Sequence, residues 1–278
     1  LRALAGPSRR NHYTAQGEIY KDKIPSFFYQ MGVVQSPVHP GGENRLKRQG
    51  EDGALKIEGV IFDMDGTLID SEERYDQLYN LEFRARGLAL DEERRAVLTG
   101  LDARASARKM RSLYPEERRA EQELTCWFAS MVRQAALADP PIPPIGGVAR
   151  WLELFRGAGL KLAVATSTEA DPALLVLERA GLAGFFDAVV TGERVTLGKP
   201  APDIYQMAAA ELGLTPSRCF AVEDSINGLR AAAAAGMDRL AFSGTNRRGF
   251  DLAAYAPRVV DHYDEATAKT LIKEWGYC

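Results

Sequence analysis

From Ile57 onward the sequence alternates short β-branched and small apolar runs with stretches of helical composition, and this alternation limits the possible folds more than any other feature. Ile57–Phe62, Leu160–Ala165, Ala188–Val190, Cys219–Val222, Arg239–Phe242 and Arg258–Val260 read as strands. Helices are expected at Val148–Arg156, Pro172–Ala180, Asp203–Leu212, Ile226–Ala235 and Asp264–Trp275, with Gly181, Gly213 and Gly236 as stop signals. A weak helix is expected between Phe242 and Arg258. Strands separated by helices run parallel and need both faces covered, so the expected fold is α/β, a Rossmann-like parallel sheet. One block breaks the rhythm. Asp70 to about Ala138 is rich in Arg, Glu, Leu and Ala, and it ends at Pro140-Pro141 and Pro143-Pro144. It predicts an all-helical insertion after the first strand. The expected division is an α/β core at 56–69 and 140–278, with an inserted helical domain at 70–139.

Residues 1–55 lack sustained periodicity and are expected to form a disordered leader. The chain starts with Leu rather than Met, so a fragment, a processed product or a fusion remnant is expected, and Met31 is an alternative start. The leader has no apolar core of a secretory signal. Its first 17 residues carry Arg2, Arg9 and Arg10 and no acid, which leaves organelle targeting open. The three cysteines, Cys126, Cys219 and Cys278, are far apart and not metal-spaced, so a reducing compartment, the cytoplasm, is expected. No apolar run approaches the ~20 residues of a membrane span. Lys+Arg 35 against Asp+Glu 38 argues against a nucleic-acid binder with a basic stripe. The three histidines, His12, His39 and His262, are too few and too scattered for a Ser-His-Asp triad or a His-based zinc site. Catalysis would then run on carboxylates, hydroxyls and lysine.

In open parallel sheets ligands bind at the carboxyl ends of the strands. Those ends deliver Asp63-Met64-Asp65-Gly66-Thr67, Thr166-Ser167-Thr168 and Glu223-Asp224. A fourth segment, Gly198-Lys199-Pro200-Ala201-Pro202-Asp203, fixes a lysine in a stiff loop before a helix. Asp63 and Asp65 are two apart, so in extended chain they project to one side. Gly66 allows the backbone to turn away. These carboxylates with Asp224 suit a hard, oxygen-seeking cation such as Mg²⁺. Asp224 suits equally the N-cap of the helix that follows.

These four segments, in this order, resemble the haloacid dehalogenase (HAD) superfamily. They are similar to the branch with phosphoglycolate phosphatases, sugar-phosphate phosphatases and β-phosphoglucomutase. The resemblance runs from about Ile57 to Val260 and implies that the 70–139 block is the family's helical cap. It also implies a phosphatase acting on a small phosphorylated metabolite. Asp63 would be the nucleophile forming an aspartyl-phosphate, and Asp65 the general acid and base. Mg²⁺ would sit on Asp63, the Asp65 backbone carbonyl and Asp224, with Glu223 a ligand or an outer partner. Thr166 and Ser167 would bind phosphoryl oxygens, and Lys199 would neutralise charge between Asp63 and phosphate.

Departures from the family pattern separate its activities. The presence of Asp65 favours phosphate chemistry over dehalogenation. The mutase carries a histidine at the start of its cap, where this chain reads Ser71-Glu72-Glu73-Arg74-Tyr75. The mutase also follows its second motif with Lys-Asn, where this chain has Glu169-Ala170. Both differences favour a hydrolase. Acidic Glu169 removes one anchor for a second charged group, and Arg74, Arg104 and Arg108 are the cap candidates to supply it. The alternatives are a sugar-phosphate mutase and a non-catalytic binding protein. A monomer or homodimer with neither nucleic-acid nor membrane partners is expected.

Overall fold

The computed structural model describes residues 56–98, 101–246 and 249–277. The expected leader, 1–55, lies outside the described residues. The strands are β1 (Gly59–Phe62), β2 (Lys161–Ala165), β3 (Ala188–Val190), β4 (Cys219–Glu223), β5 (Asp238–Phe242) and β6 (Arg258–Val260). The helices are α1 (Glu72–Ala85), α2 (Glu92–Leu98), α3 (Ala103–Leu113), α4 (Glu121–Leu137), α5 (Val148–Gly157), α6 (Ala170–Arg179), α7 (Asp203–Glu211), α8 (Ile226–Ala234) and α9 (Glu265–Glu274). The strands form one sheet in the order β3-β2-β1-β4-β5-β6, parallel throughout. This is the expected α/β fold.

The pleat sorts side chains to two faces. Val60 and Phe62 of β1 join a core with Trp151 and Phe155 of α5, Leu177 of α6 and Leu271 of α9. Ile61 points the other way, with Ala163 and Ala165, against Ile204 and Tyr205 of α7 and Ala231 and Ala232 of α8. Both faces are therefore covered, which is why the strands read as continuous apolar runs rather than as alternating ones.

Two local expectations needed adjustment. Helix α6 begins two residues before Pro172, because a proline in the first turn lacks only an N–H that has no intrahelical partner there. The weak helix expected after β5 is a single 3₁₀ turn, Leu252–Ala254.

Helices α1 to α4 lie between β1 and β2 in sequence and share an apolar core of their own. Phe83, Met110, Leu124, Trp127 and Phe128 fill it. The Phe83 and Trp127 rings lie 5.0 Å apart, and the Trp127 indole N–H donates to Glu82 at 2.9 Å. Asp102 caps α3, its carboxylate accepting from the Ala105 amide at 2.7 Å. The two segments joining this block to the sheet lie side by side. Asp70 N–H donates to Pro143 O at 3.0 Å and Ile145 N–H to Leu68 O at 2.9 Å. The end of α4 reaches into the sheet's core through Ala135 and Ala136. No described helix is long and apolar enough to cross a membrane.

Candidate active site

The strand order reverses between β1 and β4, and this switch point opens a crevice at the carboxyl ends of the strands. Register brings the functional residues level. Phe62 pairs with Val164 on one side and with Val222 on the other, so Asp63, Ala165 and Glu223 emerge together. The Asp63 amide donates to Val222 O at 2.9 Å, which fixes the backbone of the first aspartate.

Lys199 reaches this rim from the loop before α7 and is buried, at 5% exposure. Its ammonium donates to Asp63 Oδ1 at 2.5 Å, Glu223 Oε1 at 2.5 Å and Ala165 O at 3.0 Å. Burial pushes the Asp63 carboxyl up to about 8; Lys199 opposes the shift and Glu223 adds to it. Burial works against the charge on Lys199, but the Asp63 and Glu223 carboxylates outweigh it and hold the ammonium above its ordinary range.

Glu223 accepts four hydrogen bonds. Lys199 and the Tyr205 hydroxyl (3.0 Å) engage Oε1, while the Ser225 amide and hydroxyl (both 3.0 Å) engage Oε2. Gly228 lies directly against this carboxylate, where a Cβ would overlap it. Glu223 is thereby locked as the support of Lys199. These bonds suit the outer-partner role expected for Glu223, while one of its oxygens also stands in a group with Asp63 and Asp224 that could hold a metal ion, so both expected roles remain open.

Asp224 is not the cap of α8. Ser225 takes that role, its hydroxyl accepting from the Gly228 amide at 3.0 Å. Asp224 is left to face the crevice, held by the Thr67 hydroxyl at 3.1 Å. Burial, followed by the Asp63 and Glu223 charges, raises its pKa well above the usual carboxylate range. Gly66, at φ +79°, passes so close to the Asp224 carboxylate that any side chain would strike it.

One carboxylate oxygen from each of Asp63, Glu223 and Asp224 lies within 4.8 Å of the other two. With Lys199 as the cation among them, the group keeps excess negative charge, so this oxygen-donor set fits a hard divalent cation.

Asp65 stands beside them. The Thr168 hydroxyl donates to its Oδ2 at 2.8 Å, whereas its Oδ1 is buried without a well-formed hydrogen bond among the described residues. Burial raises its pKa, and the Thr168, Ser71 and Tyr75 hydroxyls pull it back. Thr166 is buried, and its Oγ1 accepts from the Thr168 amide at 3.0 Å. Its hydroxyl proton therefore remains available to a ligand.

The crevice continues into a cavity roofed by the helical block. Asp63, Asp65, Thr166, Ser167, Lys199 and Asp224 line its floor. Tyr75, Asp76 and Tyr79 of α1, Arg95 and Leu98 of α2, and Val132 of α4 line its roof.

None of the three arginines expected to anchor a second charged group is in this lining. Arg74 donates to Pro140 O at 2.9 Å, Arg108 pairs with Glu121 at 3.5 Å, and Arg104 is exposed. Residues 104 and 108 are one turn apart, so they share the outer face of α3, while Ala107 and Met110 face its core. The arginine that reaches the cavity is Arg95, which sequence reading passed over. Thr168 was placed on the rim but given no role, and Tyr75 and Tyr205 were missed. Thr168 alone carried a signal, being two residues beyond Thr166 on the same strand end.

Residues 57–236 match the family model of the haloacid dehalogenase-like hydrolases. The chain belongs to that family, and its relatives place it among the family's phosphatases. It is 34% identical over 225 residues to the protein CbbY of Cereibacter sphaeroides, covering 75% of this chain and 94% of the relative. It is 32% identical over 183 residues to the fructose-1-phosphate phosphatase YqaB of Escherichia coli, covering 65% and 93%. Among solved structures, CbbY from Rhodobacter sphaeroides in complex with xylulose-(1,5)bisphosphate superposes with a TM-score of 0.61 at 30% identity, covering 75% of this chain and 96% of that one.

Proposed function

We propose that this chain is a Mg²⁺-dependent phosphomonoesterase that hydrolyses a small phosphorylated sugar through an aspartyl-phosphate on Asp63. The observation that carries the proposal is the buried ammonium of Lys199, held between Asp63 and Glu223 at 2.5 Å from each. A cation fixed there keeps one Asp63 oxygen engaged and leaves the other to attack phosphorus. It also offsets the repulsion between carboxylate and phosphate.

The free Asp63 oxygen bonds to phosphorus as the bond to the ester oxygen breaks, and Asp65 gives its proton to that leaving oxygen. The raised pKa of Asp65 suits it to hold that proton. Asp65 then takes a proton from water as the water attacks phosphorus, which releases inorganic phosphate and restores Asp63. The hydroxyls of Thr166 and Ser167 hold the phosphoryl oxygens.

Asp63, the Asp65 carbonyl and Asp224 would hold the Mg²⁺, with Glu223 outside them supporting Lys199. A bound Mg²⁺ supplies further charge neutralisation between nucleophile and phosphate. Helices α1 to α4, spanning 72–137, act as the cap over this site. The sugar substrate is supported by the names of the relatives, which include fructose-1-phosphate and phosphorylated-carbohydrate phosphatases. The spacing of the cysteines supports a cytoplasmic setting.

Phosphate release from a panel of sugar phosphates tests this reading. EDTA and Asp63→Asn should each abolish release, and release that survives Asp63→Asn would overturn the mechanism.

A further inference from the structure

The loop that carries the rim hydroxyls, residues 166–170, leaves β2 and enters α6. Its backbone is pinned at every second residue to the segment that follows β3. The Thr166 amide donates to Val190 O at 3.0 Å, and the Gly192 amide donates to Thr168 O at 3.1 Å. These two bonds carry the β2–β3 ladder, in which Ala165 pairs with Val190, past the ends of the strands. The third pin is a side chain. The Ala170 amide donates to Glu193 Oε1 at 2.9 Å. Glu169 stands at the N-cap of α6 but makes no capping bond there, so Glu193 supplies an acceptor from another strand's end. A carboxylate suits that place, where the first amides of a helix point outward.

Gly192 seats the loop by what it lacks. A Cβ there would overlap the Ser167 carbonyl. Its φ lies outside the left-handed region, so it is the close approach of Ser167 that calls for glycine. That partner is backbone and cannot turn aside as the end of a side chain would.

Three functional groups are carried by this pinned loop. Thr166 and Ser167 line the cavity floor, and the Thr168 hydroxyl holds Asp65 at 2.8 Å. The Thr168 amide also donates to Thr166 Oγ1 at 3.0 Å, so the Thr166 hydroxyl is oriented by the path of the loop. A shift of the loop therefore moves the phosphoryl contacts and the proton donor together.

Resting on the phosphatase reading above, we infer that Gly192 and Glu193 are positioning residues for the reaction. Neither lines the cavity. They act through residues 166–168, which set the phosphoryl contacts and aim Asp65 at the leaving oxygen.

Phenyl phosphate and p-nitrophenyl phosphate test this, being close in size but different in leaving group. Phenolate is the more basic and needs the proton of Asp65, whereas p-nitrophenolate departs with little help. In the full chain with Mg²⁺, Gly192→Ala should lower kcat/KM about 10²-fold for phenyl phosphate and about tenfold for p-nitrophenyl phosphate. Glu193→Ala should lower it about fivefold for phenyl phosphate and less for the other ester. Glu193→Gln keeps an acceptor for the Ala170 amide and should return to within about twofold of wild type. Glu193 is exposed, so its two variants leave the core intact.

An equal fall for the two esters in either alanine variant, or Glu193→Gln protein as impaired as Glu193→Ala, overturns the inference. Calorimetric binding of inorganic phosphate with Mg²⁺ makes the comparison without turnover, and Gly192→Ala should weaken it about tenfold. Unchanged phosphate binding also overturns the inference. A wild type inert towards both esters, with phosphate binding that weakens in Gly192→Ala, would sink the phosphatase reading and leave the positioning standing. A wild type that hydrolyses both esters, with equal falls in the variants, would do the reverse.

Discussion

The sheet rim and the inserted helical block line the same cavity but are built in different ways. At the rim, the carboxylates sit at or next to strand ends and are clamped by partners from other segments of the sheet domain. Lys199 contacts Asp63, Ala165 and Glu223 together, and Glu223 is in turn held by Tyr205 and Ser225. In the cap, the residues facing the cavity are single turns of helices whose opposite faces build a separate core around Phe83 and Trp127. On the proposed function, chemistry falls to the clamped rim and selection to the helical block. Substitutions should therefore sort by region.

The largest effect belongs to the rim. Asp63→Asn should lower kcat by at least about 10⁴-fold, measured as phosphate release, since it removes the attacking group. Lys199→Met should follow, with a loss of about 10²–10³-fold in kcat. It should also destabilise the fold by about 3–5 kcal/mol in denaturant titration, because Asp63 and Glu223 are left facing each other without a cation.

Trp127→Ala addresses the cap. It should cost about 3–5 kcal/mol, concentrated in hydrogen-exchange protection of α1 to α4. Equal loss of protection in the sheet would break the comparison. Thr168→Val should reduce kcat by about tenfold and raise the Asp65 pKa further, because the Thr168 hydrogen bond holds it down. A group that must be protonated to act loses activity as pH rises through its pKa, so the alkaline limb of the kcat profile should move to higher pH.

The smallest effect is a linkage. Without metal, Asp63 has a pKa of about 8, raised from 3.8 by burial. The folded value lies above the unfolded one. The metal-free fold is therefore most favoured below the unfolded value and loses stability as pH rises towards 8. Protons and Mg²⁺ compete for the same oxygens, so the Mg²⁺-induced rise in melting temperature should grow by about 2–4 °C between pH 6 and pH 8.5. A shift that shrinks with pH would contradict the raised carboxylates.

The same contrast explains what could be read from the sequence. The parallel sheet and the strand-end residues Asp63, Asp65, Thr166 and Asp224 were legible because strands position residues by local rules, and Lys199 was legible from its stiff Gly-Lys-Pro loop before a helix. A residue after a buried apolar run sits at the rim whatever the rest of the chain does. The cap lining was not legible. Arg95 and Arg104 look alike in sequence, and only the packing of α2 and α3 decides which one turns inward. The support of Glu223 by Tyr205 and Ser225 was hidden for a related reason. It depends in part on Tyr205, which lies on a helix one connection away.

The central claim is that Asp63 takes the phosphoryl group. Mass spectrometry of Asp65→Asn protein, quenched in acid after incubation with a hydrolysable phosphomonoester and Mg²⁺, examines this directly. That variant keeps the nucleophile and slows the water step, so the peptide containing Asp63 should gain the mass of one phosphoryl group, and Asp63→Asn protein should gain none. An unmodified Asp63 peptide in a variant that still releases phosphate would contradict the account.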